Sequence, residues 1–475
     1  MEEHYSSTTG KVEKLIFRVP GAKALRLTLK LIPQANTPFS SSIFMMYGFA
    51  ALIILGAILL ILPVSSKTGD FTSPVNAIFT AASAVCVTGL TVVETGAYWS
   101  VFGQGVLLAL FQIGGLGFIA GATLLLLAIN RRFGLRERLF LTETMGTDQI
   151  GGSFGVVIRI VIFSLVIESI GAAAFYLYWA SSGDLQSPLW TALFHSVSSF
   201  NNCGMDIFSN SHSMSSFQGD ATVLLLTAFL IICGSIGYVV IMDFTRNRSF
   251  GKLSLDSKIV LVTTFALIVL GTVFYLVAEY SQPATLGPLA FFQKLLVAFF
   301  QSVSLRTAGF TAFDAGGLLQ ICLLFTMVLM CIGGSSGSVA GGVKVNTLGV
   351  LAITVLSLLK GRDNICAFGK QLGQQTIYRA LTLTVMYLIA AGIIVTALSI
   401  TEVFPLNSLL FETLSALGTT GSSTGITPDL SSAGKIILVI AMFTGRLAPL
   451  SFMAYLAHRR QVIDMEYPHE NIRLG

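Results

Sequence analysis

AVCVTGL (84–90), SFNNCGM (199–205), SLRTAGF (304–310) and ALGTTGS (416–422) align on Gly89, Gly204, Gly309 and Gly421, which recur at intervals of 115, 105 and 112 residues. Self-similarity at a long, nearly constant period marks a repeated structural unit, and a period of this length has room for two helices and a loop. Two other landmarks keep their place in the frame. A proline stands 15 to 21 residues ahead of each glycine (Pro74, Pro188, Pro288, Pro405), and a small-residue break follows 24 to 30 residues behind (Gly114, Gly234, Gly333, Gly445). Proline suits the first turn of a helix, where its missing N–H costs nothing. Each loop is therefore predicted to open with a short helix, the first from Pro74 to Ala84, whose C-terminal end turns the negative pole of its dipole toward the glycine segment.

The surroundings of these stretches are apolar. Of 475 residues 54% are hydrophobic and only 11% charged, with a mean hydropathy of +0.80, whereas ordinary soluble domains carry about 25% charged residues. Runs long enough to cross a bilayer as helix, about 20 residues, cover 43–63, 104–130, 154–180, 221–242, 259–278, 318–358 with an interruption, 378–400 and 434–457. Between the members of each pair lies a shorter stretch, 74–90, 188–206, 288–311 and 405–425. Irregular backbone at membrane depth survives only where it lines water or is buried in protein, so the plain alternative is a set of extracellular loops. Three landmarks recurring four times argue against that alternative. The expected fold is an all-α integral membrane protein of four pseudo-symmetric units, each a helix, a re-entrant pore loop and a helix, around a central pore. The expected boundaries are a cytosolic extension at 1–40 and pore units at 41–130, 131–250, 251–360 and 361–475, the last with the C-terminal tail.

Charge sets the orientation, because 22 of the 28 Lys and Arg fall in five segments that the span count puts on one side. That side is expected to be cytoplasmic, with both termini inside a multi-pass chain of the cell membrane. The opposite side carries acids such as Asp70, Glu94, Asp206, Glu279 and Asp429, a field that concentrates cations. The six cysteines show no metal-ligand spacing, and all but Cys366 lie in apolar or pore-loop sequence and read as small hydrophobes. The first 40 residues lack the apolar core of a signal peptide and are expected to be partly disordered.

Glycine, lacking a Cβ, permits the close approach and unusual backbone angles a loop needs to turn at an axis. The residues before it, Val87 and Thr88, Asn202 and Cys203, Thr307 and Ala308, Thr419 and Thr420, can then present carbonyls to a cation, as in filters where carbonyl rings replace a hydration shell. For any one of the glycines the alternative is an ordinary turn.

These loops, together with FQIGGLGF (111–118), SSGSVAGGVKVNT (335–347) and GTTGSSTGITPDLSSAGK (418–435), resemble the Trk/Ktr/HKT superfamily of potassium transporters, most nearly the membrane subunit of bacterial Ktr systems. The likeness runs from about residue 35 to the end. It implies potassium uptake, with potassium as substrate at the filter residues Val87, Thr88, Gly89, Asn202, Cys203, Gly204, Thr307, Ala308, Gly309, Thr419, Thr420 and Gly421. Sodium is a candidate modulator. It further implies a homodimer, to which the terminal EYPHENIRLG contributes, seated on a cytosolic RCK-type ring that binds ATP or ADP. No nucleotide-binding motif occurs in this chain, no cofactor is expected within it, and its partners are otherwise membrane lipids, with no nucleic acid.

Two features point to a gate. GGSSGSVAGG (333–342) holds five glycines, each costing a helix about 1 kcal/mol relative to Ala. The resemblance makes this stretch an intramembrane gating loop, with Gly333, Gly334, Gly337, Gly341, Gly342 and the following Lys344 as gate residues; a loose, closely packed helix is the alternative. Arg446 stands within an apolar span, where a charge costs about 2.5 to 3.5 kcal/mol on insertion scales. In the resembled family an arginine here faces the pore and helps close it; a structural arginine paired with Glu168 is the other reading. Arg306, beside the third filter segment, is expected to be held by Glu412 or Asp314, or to tune the vestibule. Lys344 either touches the gate or snorkels toward the cytosol.

Enzyme readings lack residues. GGLGFIAG (114–121) imitates part of a dinucleotide fingerprint but lies in an apolar span with no preceding strand, and the five histidines are scattered. The rival within transport is a sodium-coupled or proton-coupled alternating-access carrier, since such proteins also use repeats and broken helices.

Overall fold

The structure, a computed structural model, describes residues 12–17, 25–30, 41–117, 153–182, 187–208, 213–313, 315–362 and 364–458. The basic segment 131–138 and the terminal EYPHENIRLG lie outside the described residues. Among the described residues the fold is helical, with two small hairpins. Strands β1 (Val12–Phe17) and β2 (Leu25–Lys30) pair antiparallel, Val12 opposite Lys30. The hairpin lies within the extension expected to be partly disordered; the period-2 alternation of LRLTLK is the strand signal that basic composition masks. The other hairpin joins β3 (Cys366–Ala367) to β4 (Lys370–Gln371).

The helices fall into four groups. The first is α1 (Ser41–Ile61), α2 (Pro74–Val85) and α3 (Val101–Leu116). The second is α4 (Ser153–Ser182), α5 (Pro188–Phe200), α6 (Ala221–Ser235) and α7 (Tyr238–Asn247). Next come α8 (Leu255–Ala278), α9 (Phe291–Ser304), α10 (Gln320–Cys331) and α11 (Val345–Leu359). The last group is α12 (Gln374–Thr401), α13 (Leu406–Gly418) and α14 (Ser432–His458). Within a group the short helix packs on the long helix before it, α2 on α1, α5 on α4, α9 on α8 and α13 on α12. Between groups, each short helix packs on the helix that follows the short helix of the group before it: α5 on α3, α9 on α6, α13 on α10, and α2 on α14. That last contact closes the circle.

Polarity is inverted relative to a soluble protein. The long helices show large apolar side chains outward, among them Ile54, Ile170, Phe265, Leu270, Leu388 and Ile393. Buried Ser and Thr side chains, such as Ser83, Ser198, Ser304, Thr413 and Ser415, gather on the short helices inside. Such a surface suits hydrocarbon, and the interior carries the polar groups. Among the described residues α4 from Ile158, α8 and α12 are each long and apolar enough to span a membrane; α8, with 24 residues, is about 36 Å long.

Three details differ from expectation. The run 221–242 is not one straight helix: α6 and α7 meet at 92°, with Gly237 at φ +80° between them. Gly445 breaks nothing, for α14 is continuous through it; it permits close packing instead, since a Cβ there would fall within 3.0 Å of the Leu417 carbonyl. Pro74 and Pro188 open their helices and Pro405 caps one, whereas Pro288 precedes α9 altogether, and Gln293 Oε1 accepts from the Ala290 N–H at 3.1 Å instead.

Candidate functional site

The ends of the four short helices build the site. In each unit a serine near the helix end holds the following segment by its carbonyl: Thr88 N to Ser83 O at 2.8 Å, Cys203 N to Ser198 O at 2.9 Å, Ala308 N to Ser304 O at 2.8 Å and Thr420 N to Ser415 O at 2.8 Å. The hydroxyls tie the glycines' neighbourhood as well. Ser83 and Ser415 accept from Gly89 N and Gly421 N, each at 3.1 Å, while Ser198 and Ser304 donate to the carbonyls of Met205 and Phe310, each at 2.6 Å. Sequence reasoning missed these serines. They stand six residues ahead of the glycine in three units and five ahead in the third, so an alignment on glycines leaves Ser304 one step out of register.

The shorter third segment also differs in backbone. Val87, Asn202 and Thr419 are left-handed, at φ +55°, +56° and +49°, but Thr307 is not among the positive-φ residues. For β-branched Val87 and Thr419 this region is strained, and strain of this kind persists only where the surroundings impose it. The four glycines have φ of +90°, +74°, +71° and +91°.

Their packing closes a ring in chain order. A Cβ on Gly89 would fall within 3.0 Å of the Cys203 carbonyl oxygen, one on Gly204 within that distance of Ala308 O, one on Gly309 of Thr420 O, and one on Gly421 of Thr88 O. Each glycine thus yields its side-chain space to the carbonyl of the next unit, and the structure brings all four predicted segments together. Polar atoms converge there without protein partners: Thr88 Oγ1, Asn202 Nδ2 and Oδ1, Thr307 Oγ1, Thr419 Oγ1 and Ser422 Oγ are buried and unbonded. Buried polar atoms are ordinarily hydrogen-bonded, so a cluster of exceptions marks a place that receives something polar. Among the described residues no group of three or more His, Cys, Asp or Glu could hold a metal ion.

Beside the segments the four units diverge. Gly114, Gly234 and Gly445 each leave room for the last carbonyls of their own short helices, at Val85, Phe200 and Leu417. In the third unit the helix stops at Cys331, and 332–344 forms a loop with an Ile332–Val343 bridge. The loop is anchored at Ser335 N to Ser235 O, 2.9 Å, and at Val345 N to Gly334 O, 3.0 Å. Gly341 abuts the Thr419 side chain, so a Cβ there would collide with it, which places the loop against the fourth segment. Gly337 and Gly342 have φ of +74° and +66°.

Arg446 joins this loop to the first unit. Its guanidinium donates to the carbonyl of Val339 in the loop, and Nη2 donates to Gly114 O at 2.5 Å and Gly115 O at 3.4 Å. The alternative pairing with Glu168 is not found. That carboxylate accepts instead from Gln112 Nε2, at 3.1 and 2.9 Å, and from Asn201 Nδ2 at 3.0 Å. Lys344 Nζ donates to Ala340 O within the loop. Arg306 is buried, and its Nε and Nη2 find no partner; Glu412 is engaged elsewhere and Asp314 lies outside the described residues.

Comparison with known proteins gives a consistent result. The family model described as TrkH, cation transport protein, matches residues 33–460. The Ktr system potassium uptake protein B of Bacillus subtilis (strain 168) is 39% identical over 428 residues, 90% of this chain and 95% of that protein. The potassium/sodium uptake protein NtpJ of Enterococcus hirae is 36% identical over 434 residues, 90% of this chain and 96% of that one. The crystal structure of the potassium transporter TrkH from Vibrio parahaemolyticus superposes with a TM-score of 0.67, covering 91% of this chain and 87% of that one; at 18% identity the likeness is one of fold.

Proposed function

Because the chain belongs to the TrkH family of cation transport proteins, we propose that it takes potassium up across the cell membrane through a channel-like pore with a glycine-based filter. The observation that carries this reading is the ring in which Gly89, Gly204, Gly309 and Gly421 each make room for a carbonyl of the next unit. Carbonyls brought to one axis replace the water that a potassium ion sheds on entering. The unbonded hydroxyls of Thr88, Thr307 and Thr419 and the Asn202 amide add oxygens of the same hardness. Four short helices end at these segments, and the negative poles of their dipoles lower the energy of a cation there.

Closure is assigned to the loop with Gly333, Gly334, Gly337, Gly341 and Gly342, to Lys344, and to Arg446. Arg446 bonds both the loop and the first unit, so it holds the loop across the path beside the filter, and its own charge raises the barrier for cations. Opening then requires Arg446 to release Val339. Three relatives are named as Ktr system proteins, which supports a membrane subunit that works with other components. We assign the finer partners, a second copy of this chain and a cytosolic nucleotide-binding ring, on that basis.

Sodium is the second cation to consider. The four contributors to the ring differ, and one relative is named for potassium and sodium uptake. The test is uptake of potassium and rubidium, with and without sodium, in cells lacking their own potassium transporters. Wild type restores uptake and Gly309→Ala, expressed to the same level, does not; equal uptake by the two would remove the ring from the account.

A further inference from the structure

The filter segments are anchored alike on one side and differently on the other. One helical turn ahead of the four anchoring serines stand Thr80, His195, Gln301 and Glu412, all buried. Their partners differ. The Thr80 hydroxyl turns back to Asn76 O on its own helix at 2.8 Å, and His195 Nε2 pairs with Thr227 Oγ1 on α6 at 3.0 Å. Neither hydrogen-bonds the chain that leaves its filter segment, although the His195 ring packs on Phe208, four residues beyond Gly204, with centroids 5.4 Å apart. Gln301 does: its Oε1 accepts from Ala312 N, three residues beyond Gly309, at 3.2 Å.

Glu412 does so far more completely. Its Oε1 accepts from Ser423 Oγ at 2.6 Å, Thr424 N at 2.9 Å and Thr424 Oγ1 at 3.3 Å, and its Oε2 accepts from Thr427 Oγ1 at 2.8 Å. Ser423 and Thr427 also bond each other at 2.9 Å. A carboxylate with no exposed surface is tolerated only when its lone pairs are filled, and bonds to an ionised acceptor are the strong ones. The loop 423–427 is therefore folded around Glu412, directly after Gly421.

We propose that Glu412, and to a lesser degree Gln301, are positioning residues that bracket the outer ends of the fourth and third filter segments and so determine how sharply the ring distinguishes potassium from sodium. The third and fourth segments are hydrogen-bonded at both ends, by a serine inside and a bracket outside, while in the first and second the residue one turn ahead of the serine makes no hydrogen bond to the outgoing chain. A ring held open at two of its quarters cannot contract around the smaller ion; with the brackets removed it can. This inference rests on the proposed function, since it concerns the selectivity of the same filter.

The experiment is paired rubidium and sodium uptake by the full-length protein at matched expression, comparing wild type with Glu412→Leu, Glu412→Gln, Gln301→Leu and Thr80→Ala. Glu412→Leu lowers the rubidium-to-sodium ratio by about tenfold, as loss of several hydrogen bonds to a charged acceptor would. Glu412→Gln keeps an oxygen for Ser423 and Thr424 and returns most of the ratio. Gln301→Leu gives a smaller drop and Thr80→Ala none. Where Glu412→Leu fails to reach the membrane, Thr427→Val, which leaves the carboxylate and removes one donor, lowers the ratio by about threefold. An unchanged ratio in Glu412→Leu, or in Thr427→Val where it substitutes, overturns the bracket, as does an equal drop in Thr80→Ala. If wild type itself carries no rubidium, the proposed function falls, and the bracket with it; a conducting wild type with unmoved variants rejects the bracket alone.

Discussion

At the level of the filter glycines all four units do the same thing, each giving its side-chain space to a neighbour's carbonyl. One helix further along the chain they do not. Gly333 and Gly445 stand the same number of residues beyond Gly309 and Gly421, yet one belongs to an open loop and the other to an unbroken helix. The difference follows from what surrounds them. GGSSGSVAGG concentrates five glycines, whereas FTGRLAPLSF has one, and a single glycine costs a helix only about 1 kcal/mol, which packing on Leu417 offsets. A demand shared by every unit preserves the repeat, and a task that one or two units can perform lets it diverge.

The largest effect should come from breaking the shared level. Gly421→Ala places a Cβ in the space of Thr88 O, at a φ of +91°, where L-residues incur about 1 to 2 kcal/mol before any collision; potassium uptake should fall at least about tenfold. The same loss is expected at Gly89, Gly204 and Gly309, and full uptake by any one of these variants would show that the ring is not shared. At the divergent level the sign reverses. Arg446→Ala frees the loop from the first unit and removes a fixed positive charge, so rubidium uptake should rise roughly three- to tenfold, the factor that about 1 kcal/mol gives. Unchanged or lower uptake by well-expressed protein would count against the gate.

Gly341→Ala sharpens the comparison further. Its Cβ meets the Thr419 side chain, so the loop is pushed from the fourth segment and uptake should increase by about two- to fivefold, less than at Arg446 because the tie to Val339 stays. Decreased uptake would mean that the loop supports the filter and does not obstruct it. The smallest effect lies away from the axis. Asp220 caps α6 by accepting from Thr222 N at 3.0 Å and Val223 N at 3.2 Å, so Asp220→Ala should cost about 1 kcal/mol of stability, seen as earlier thermal unfolding in detergent with uptake unchanged. A loss of uptake there would extend the functional region beyond the ring and gate.

Much of the fold is legible in the sequence because proline and glycine punctuate it. The helix predicted over Pro74–Ala84 runs from Pro74 to Val85; seven of the eight apolar runs coincide with helices or broken helices, and the run 104–130 does so over its described part, to Leu116. The convergence of the four glycine segments follows from their repetition alone. What escapes sequence reasoning depends on three-dimensional placement. Arg446 finds backbone carbonyls of Val339 and Gly114, and carbonyls leave no trace in a sequence, whereas Glu168, the only acid in its own span, draws the eye and is occupied by the amides of Gln112 and Asn201. The 92° bend between α6 and α7 hides in GSIGY because one glycine at positive φ suffices to turn the chain. The serines behind the ring escape through a one-residue difference in the third unit.

The proposed path is passive, with an asymmetric gate. The most direct test is cation flux into liposomes carrying purified wild type or Arg446→Ala, with a potassium gradient as the only driving force. The account predicts downhill potassium flux through both, faster through Arg446→Ala, and a flux that stops when the gradient is dissipated. Potassium movement that appears only with an imposed sodium or proton gradient, and that then runs uphill in fixed proportion to the second ion, would contradict it.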